Sequence, residues 1–211
     1  TEIAPAAQPQ LAINEQGMVW VAFGRGQEIH VARSDDGGAT FAASVRVASL
    51  PSLMLGRRRG PRIVAHGEIL TATAMAGDLH AFRSADGGRT WGERAVIQEN
   101  TGRANVMSVS LLRSRTGDVL FFYLRKNSST DLKAYVRRST DDARTWGTPT
   151  LVTADPGYHV MNNARVIQLR SGRLLAPVAS TKQVWTKNDD FRTSVYLSDD
   201  DGRTWLRSRT L

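Results

Sequence analysis

Arginine supplies 24 of the 28 basic residues in this 211-residue chain, against four lysines and 20 acidic residues, for a formal charge of +8. A guanidinium is a planar fork that grips carboxylate or phosphate through two parallel bonds, so the excess suits an anionic ligand, and equally a solvated surface. Arg62 and Arg165 are the best placed, each at the head of an apolar run. Arg57, Arg58 and Arg59 precede Arg62; Arg59 is the one expected to reach a ligand, the set otherwise reading as solvated. Two clusters mix aromatic and charged groups, as sugar recognition requires and as a solvated loop also allows. One holds Tyr123, Arg125, Lys126, Asn127 and Asp131; the other holds Trp185, Lys187, Asp189, Asp190 and Arg192. His159, Asn162 and Asn163 lie just before Arg165 and offer polar contacts.

Several chemistries are excluded. The chain has no cysteine, hence no disulfide and no thiolate metal site. It shows no metal-type histidine spacing, nucleophile elbow or phosphate loop, so no metal and no cofactor are expected. Its basic residues are dispersed, which argues against nucleic acid as a partner. No apolar run is long enough to cross a bilayer, so no membrane partner is expected. Residues 1–10 lack a basic start followed by an apolar core, and the chain opens without Met. A signal is thus not present in this chain, which reads as a processed product of a secreted or periplasmic protein.

What must position these residues is a repeat. Four segments align without gaps on Ser-x-Asp-x-Gly-x-Thr-Trp, starting at Ser34, Ser84, Ser139 and Ser198, that is 50, 55 and 59 residues apart. Asp36, Asp86, Asp141 and Asp200 are expected to accept hydrogen bonds from backbone N–H groups of their own turns. The fifth position is Gly38, Gly88, Ala143 or Gly202; if it needs φ > 0, Ala143 costs about 1 kcal/mol. The closing Phe41, Trp91, Trp146 or Trp205 is an apolar plug for the space between units. These residues are read as structural. Their spacing does not match a calcium loop. His30 and His80 each stand four residues before a box serine and are read as structural too.

Around each box lie four short apolar or alternating runs separated by turn signals, with no sustained helical period. They cover 11–13, 18–23, 29–33 and 45–48; then 62–64, 69–75, 79–83 and 95–98; then 106–112, 119–124, 132–137 and 150–153; then 165–169, 174–178, 193–197 and 206–211. Four strands per 50-odd residues is a β-propeller blade. The expected fold is all-β: a tail over 1–8, then a propeller over 9–211 with antiparallel blades at about 9–50, 60–99, 105–153 and 162–211. The box serine stands 17 positions after the turn glycine in the first two units, 22 in the third and 26 in the fourth. The added length falls between strands two and three, where repeat proteins build a binding face.

The box, its spacing and the four-strand unit resemble the Asp-box (BNR) repeats of sialidases over roughly residues 9–211. Gly60-Pro61-Arg62-Ile63-Val64 resembles the Arg-Ile-Pro region of an inner sialidase strand, without the final Pro. The stretches 105–112, 122–128 and 157–169 are similar to bacterial sialidase-like hydrolases, with Ala164 where the family more often has Asp. The resemblance implies a six-bladed propeller, of which four blades are visible, with boxes on the face away from the active site. It also implies arginines holding a substrate carboxylate, an Asp acid/base and a Tyr nucleophile helped by Glu, several of them in blades beyond Leu211. Arg62 and Arg165 match the arginines, and Asp78 matches the acid/base, although Gly77-Asp78 is also a common turn. The implied partners are sialylated or other anionic glycans, and an incomplete propeller would self-associate through open blade faces. Two other functions stay open. One is a non-catalytic propeller binding glycan or protein. The other is a hydrolase of neutral polysaccharides using paired carboxylates such as Asp78 and Asp131.

Overall fold

A computed structural model describes residues 6–56, 59–186 and 190–209. Arg57, Arg58, Lys187, Asp189, the first five residues of the expected tail and the last two of the expected final strand lie outside the described residues. The described chain is all β, in 17 strands with no helix. It divides into two compact units, Thr1–Glu99 with Asp141–Arg144, and Asn100–Thr140 with Thr145–Leu211.

The first unit contains two four-stranded antiparallel sheets. One runs β1 (Ala7–Ile13), β2 (Val19–Arg25), β3 (Glu28–Ser34), β4 (Val45–Ser49). The other runs β5 (Arg62–His66), β6 (Ile69–Ala76), β7 (Asp78–Ser84), β8 (Ala95–Gln98). β1 opens inside the stretch expected to be tail. β2 and β6 are apolar runs rather than alternating ones because both of their faces are covered. Trp20, Ile29, Leu50, Ile63, Leu70 and Phe82 join the two sheets in one core. Trp20 lends its ring to that core and its indole N–H to the Gly87 carbonyl of the second box, at 2.9 Å.

In the second unit the expected blades are fused. β9 (Asn105–Arg113), β10 (Val119–Lys126), β11 (Leu132–Ser139) and β12 (Thr150–Leu151) form one antiparallel set; β14 (Ile167–Gln168), β15 (Leu174–Thr181), β16 (Arg192–Ser198) and β17 (Leu206–Arg207) form the other. A strand unforeseen in the sequence, β13 (Tyr158–Val160), joins them. It pairs parallel to β11 at Leu132↔Tyr158 and antiparallel to β15 over Tyr158↔Thr181 to Val160↔Ala179. The connection can form because Gly157 adopts φ 128° and brings the backbone against the Thr181 carbonyl, where a Cβ would stand 2.9 Å away. Leu120, Phe122, Leu132, Leu174, Val178 and Tyr196 form the core of this unit.

Each box sits at the chain-terminal end of a third strand. Asp36 Oδ1 accepts from the Ser34 hydroxyl (2.7 Å) and the Thr40 N–H (2.9 Å), and Oδ2 accepts from the Thr40 hydroxyl (2.6 Å). Ser34 Oγ in turn accepts the Gly38 N–H at 2.8 Å. The same bonds recur around Asp86 and around Asp200. The fifth position has positive φ in all four boxes: Gly38 95°, Gly88 87°, Ala143 65° and Gly202 84°. The fourth does as well, through Gly37, Gly87, Asp142 and Asp201. Two left-handed residues in succession bend the chain back so that the following aromatic meets the sheet. Trp146 packs edge-on against Phe121, and Trp205 against Phe122 of the preceding strand set.

Thr40's hydroxyl and N–H, with the Ser34 hydroxyl, hold the Asp36 carboxyl well below the usual carboxylate range. Around Asp86 burial is the largest influence and acts upward, but the Thr90 and Ser84 hydrogen bonds outweigh it and leave the group at about 2. A depressed folded-state value means stability that is complete above the unfolded value of about 4 and is lost as pH falls toward the folded one. Denaturant midpoints measured from about pH 5 down to about pH 2 should therefore decline, and Asp86→Asn should start lower and decline less steeply. Ala143→Gly should relieve the strained turn and raise stability by about 1 kcal/mol, a gain of about 2–4 °C in thermal midpoint by calorimetry.

Candidate functional site

Antiparallel pairing sorts each sheet into two ends. In the second sheet Arg62 lies opposite Thr73 near the close of β6, and Gly77 (φ 75°) then turns the chain into Asp78 at the start of β7. Arg62 and Asp78 therefore share one end, and the box that follows Ser84 occupies the other. Arg62 is 5% exposed, with one Nη–H donating to the Pro61 carbonyl at 3.2 Å. Burial alone pulls its proton affinity down. Arg59 is half-buried in the connector, its N–H donating to Gly56.

In the second unit the lengthened loops meet. Val184 N–H donates to the Ser129 carbonyl at 2.9 Å. Asn127 is absorbed by its own turn: its side-chain N–H donates to Asp131 Oδ2 at 2.8 Å and its Oδ1 accepts the Arg103 N–H at 3.1 Å. Trp185 is 71% exposed and holds a left-handed φ of 65°, a strained state for a bulky residue. Lys126 Nζ lies 3.9 Å from its ring centre and 5.6 Å from that of Tyr158. This aromatic–cation shelf brings together Lys126 and Trp185, which the sequence assigns to two separate loop clusters.

Tyr123 does not belong to the loop. It lies within β10, 2% exposed, stacked between Phe121 (6.0 Å) and Tyr135 (5.5 Å), because the run from Val119 is covered on both faces. Burial pushes its hydroxyl up to about 12. Arg125 packs over Tyr135 at 4.7 Å. Arg165 is not the counterpart of Arg62. It is exposed and stands two residues ahead of β14, its N–H donating to Ser110 Oγ, beside a depression of about 240 Å³ shared with Asn162 and Thr193. The chain turns there at Ala164 (φ 53°), a conformation Asp or Asn adopts more easily. Asn163 is half-buried in the same turn.

A depression of about 560 Å³ in the second unit is of small-molecule size. It is lined by Asp155, His159, Ser180, Lys182, Arg192 and Arg207, among others. Asp155 is its hub. Its carboxylate accepts from the Tyr196 hydroxyl at 2.8 Å and pairs with Arg207 at 3.4 Å. Its carbonyl accepts from His159 Nε2 at 2.8 Å and from Lys133 Nζ. Burial first, then the Asp155 bond, pushes the Tyr196 hydroxyl well up.

A model of the "BNR repeat-like domain" matches residues 12–154 and again 73–211. The chain belongs to this family. Among curated proteins, the BNR chain is 31% identical over 146 residues to the sialidase of Micromonospora viridifaciens; the match covers 58% of the chain and 23% of that protein. Among solved structures it aligns over 98% of its length with 47% of the Hadza microbial sialidase Hz136 (TM-score 0.65, 19% identity). It aligns over 97% with 66% of an alpha-L-arabinanase of Penicillium chrysogenum (TM-score 0.66, 14% identity). The BNR chain thus spans under a quarter of its curated relative and about half of the solved sialidase. Its fold is sialidase-like, a β-propeller of antiparallel four-stranded blades.

Sequence reasoning passed over Asp155, Ser180, Tyr196 and Arg207 of the BNR chain. The one signal was the run Asp155-Pro156-Gly157 ahead of His159, which reads as an ordinary connector until β13 is seen to cross it back over β15. Gly157→Ala should both force a left-handed alanine and drive a Cβ into the Thr181 carbonyl. A loss of about 2 kcal/mol or more in urea unfolding is expected, with the emission of the Trp185 shelf altered.

Proposed function

We propose that this chain forms part of an exo-acting, sialidase-type glycoside hydrolase that releases an anionic terminal sugar such as sialic acid from glycans. The observation that carries the reading is Arg62, a dehydrated guanidinium at the head of an inner strand, at the sheet end opposite the box. A planar guanidinium can bind a carboxylate through two parallel bonds, which is the contact an anionic sugar would make at this end of the sheet. Asp78, at the same end, has the placement of an acid/base that protonates the leaving oxygen. Arg165 with Asn162, and Arg59 in the connector, are the further polar contacts of the reading. In the second unit, Lys126 and Trp185 offer a cationic and a stacking surface of their own, with Arg125 beside them. Tyr123, stacked on the Tyr135 ring that Arg125 covers, and Asn127, in the turn that follows Lys126, back that surface. A glycan substrate goes with a secreted or periplasmic protein; among the described residues no helix is long and apolar enough to cross a membrane.

The similarity to the arabinanase, equal in degree to that with the sialidase, favours a second reading: a hydrolase of neutral arabinan-type polysaccharides working through paired carboxylates. The two readings differ in their need for Arg62. The full-length protein is to be assayed on a fluorogenic sialoside and on arabinan. Sialoside turnover is expected, with Arg62→Lys lowering kcat/KM by about a hundredfold or more because an ammonium cannot reproduce the fork. Turnover of arabinan alone, indifferent to Arg62→Lys, would establish the second reading. Glycan binding without turnover of either would leave a non-catalytic propeller.

A further inference from the structure

One pair of side chains has the geometry of an activated nucleophile. His159 on β13 lies directly across from Ser180 on β15. Its Nδ1 is 2.8 Å from Ser180 Oγ, and its Nε2 is 2.8 Å from the Asp155 carbonyl. A carbonyl oxygen can only accept, so Nε2 carries the hydrogen. Nδ1 is then a lone pair, and the bond to Ser180 runs from hydroxyl to imidazole. That is the arrangement of a nucleophile, a base and a third group orienting the base. We infer that Ser180 and His159 form an acyl-transfer site opening into the cavity beside Asp155, which cleaves short acyl esters of polar, hydroxyl-rich alcohols.

The surroundings fit that chemistry. His159 is 2% exposed, so the ring is fixed, while Ser180 is partly exposed on the cavity wall. The orienting carbonyl is itself immobilised by Lys133 Nζ, and the Asp155 carboxylate by Tyr196 and Arg207. Lys182 and Gln183, two and three positions on, line the same cavity, and their side-chain N–H groups are the donors available to a developing oxyanion. Among the described residues of the lining, Pro156 is the sole side chain without a polar group, and these residues offer no slot for a long hydrocarbon chain. An acetyl-sized group on a polyol fits the cavity.

In the first half-reaction Ser180 Oγ bonds to the acyl carbon as its proton passes to His159 Nδ1. The ester C–O bond then breaks, and the alcohol leaves with the proton from Nδ1. In the second, water adds to the acyl carbon and gives a proton to Nδ1. The Oγ–acyl bond breaks, the carboxylic acid departs and Oγ regains its hydrogen. The base must be neutral. Burial, the largest influence, lowers the proton affinity of His159, and Lys133 and Arg207 act in the same direction against Asp155 and its carbonyl. Among the described residues, Lys182, Arg192 and Asp190 are the other charged groups of the cavity.

The test uses the whole chain with p-nitrophenyl acetate and, separately, diisopropyl fluorophosphate. The expected result is a burst of nitrophenol of about one equivalent, a single phosphoryl adduct on the peptide carrying Ser180, and a rate that holds its plateau to below about pH 6.5. Ser180→Ala, checked for an unchanged circular dichroism spectrum and thermal midpoint, should lose the adduct and lower the rate about a hundredfold or more. Folded wild-type protein that takes no label at Ser180, or a Ser180→Ala variant that keeps the burst, would overturn the site.

Discussion

The structure depends on a carboxylate closing a five-residue loop onto itself. Asp36, Asp86 and Asp200 each take a serine hydroxyl, a threonine N–H and a threonine hydroxyl, and so hold two successive residues left-handed. Without that lock the turn would have to stay bent against the ordinary preference of an L-residue. With it, the aromatic that follows is delivered to a fixed place: Trp205 onto Phe122, Trp91 into the core of the first unit. Turn chemistry and core packing are thus one device. It also assigns one end of each sheet to support, leaving the other for Arg62, Asp78 and the long loops.

The second organising group is Asp155, which works by a different rule. It closes no turn of its own. It gathers Lys133 from β11, His159 from β13, Tyr196 from β16 and Arg207 from β17 around one residue of a connector. Such a hub makes a cavity wall rigid through many elements, whereas a box rigidifies only its own corner.

This contrast explains what was legible beforehand. The boxes are local and repeated, so their strands, their Asp acceptors and the need for φ > 0 at Ala143 could all be read from spacing. The strain at the fourth position was missed because Asp142 and Asp201 give no glycine signal there. Tyr123 falls in the strand run 119–124 but groups with the loop cluster because the polar run Arg125-Lys126-Asn127 follows it, yet β10 stays covered on both faces through Leu124. Arg165 looked equivalent to Arg62, but the chain shortens its inner strand to Ile167–Gln168 after turning at Ala164. The Asp155 cavity was illegible because its groups are scattered over 75 residues of sequence, from Lys133 to Arg207, and only β13 draws them together.

β13 has one more consequence. Blades in repeat proteins ordinarily open as separate cooperative units, since hydrogen bonds stop at each blade edge. Here three residues carry the ladder across, from Leu132 in one strand set to Thr181 in the next. Fraying that starts in one set must break this seam before it can pass to the other, which couples the two sets more closely than edges without hydrogen bonds would. The cavity floor, built on that seam, inherits the stability of both.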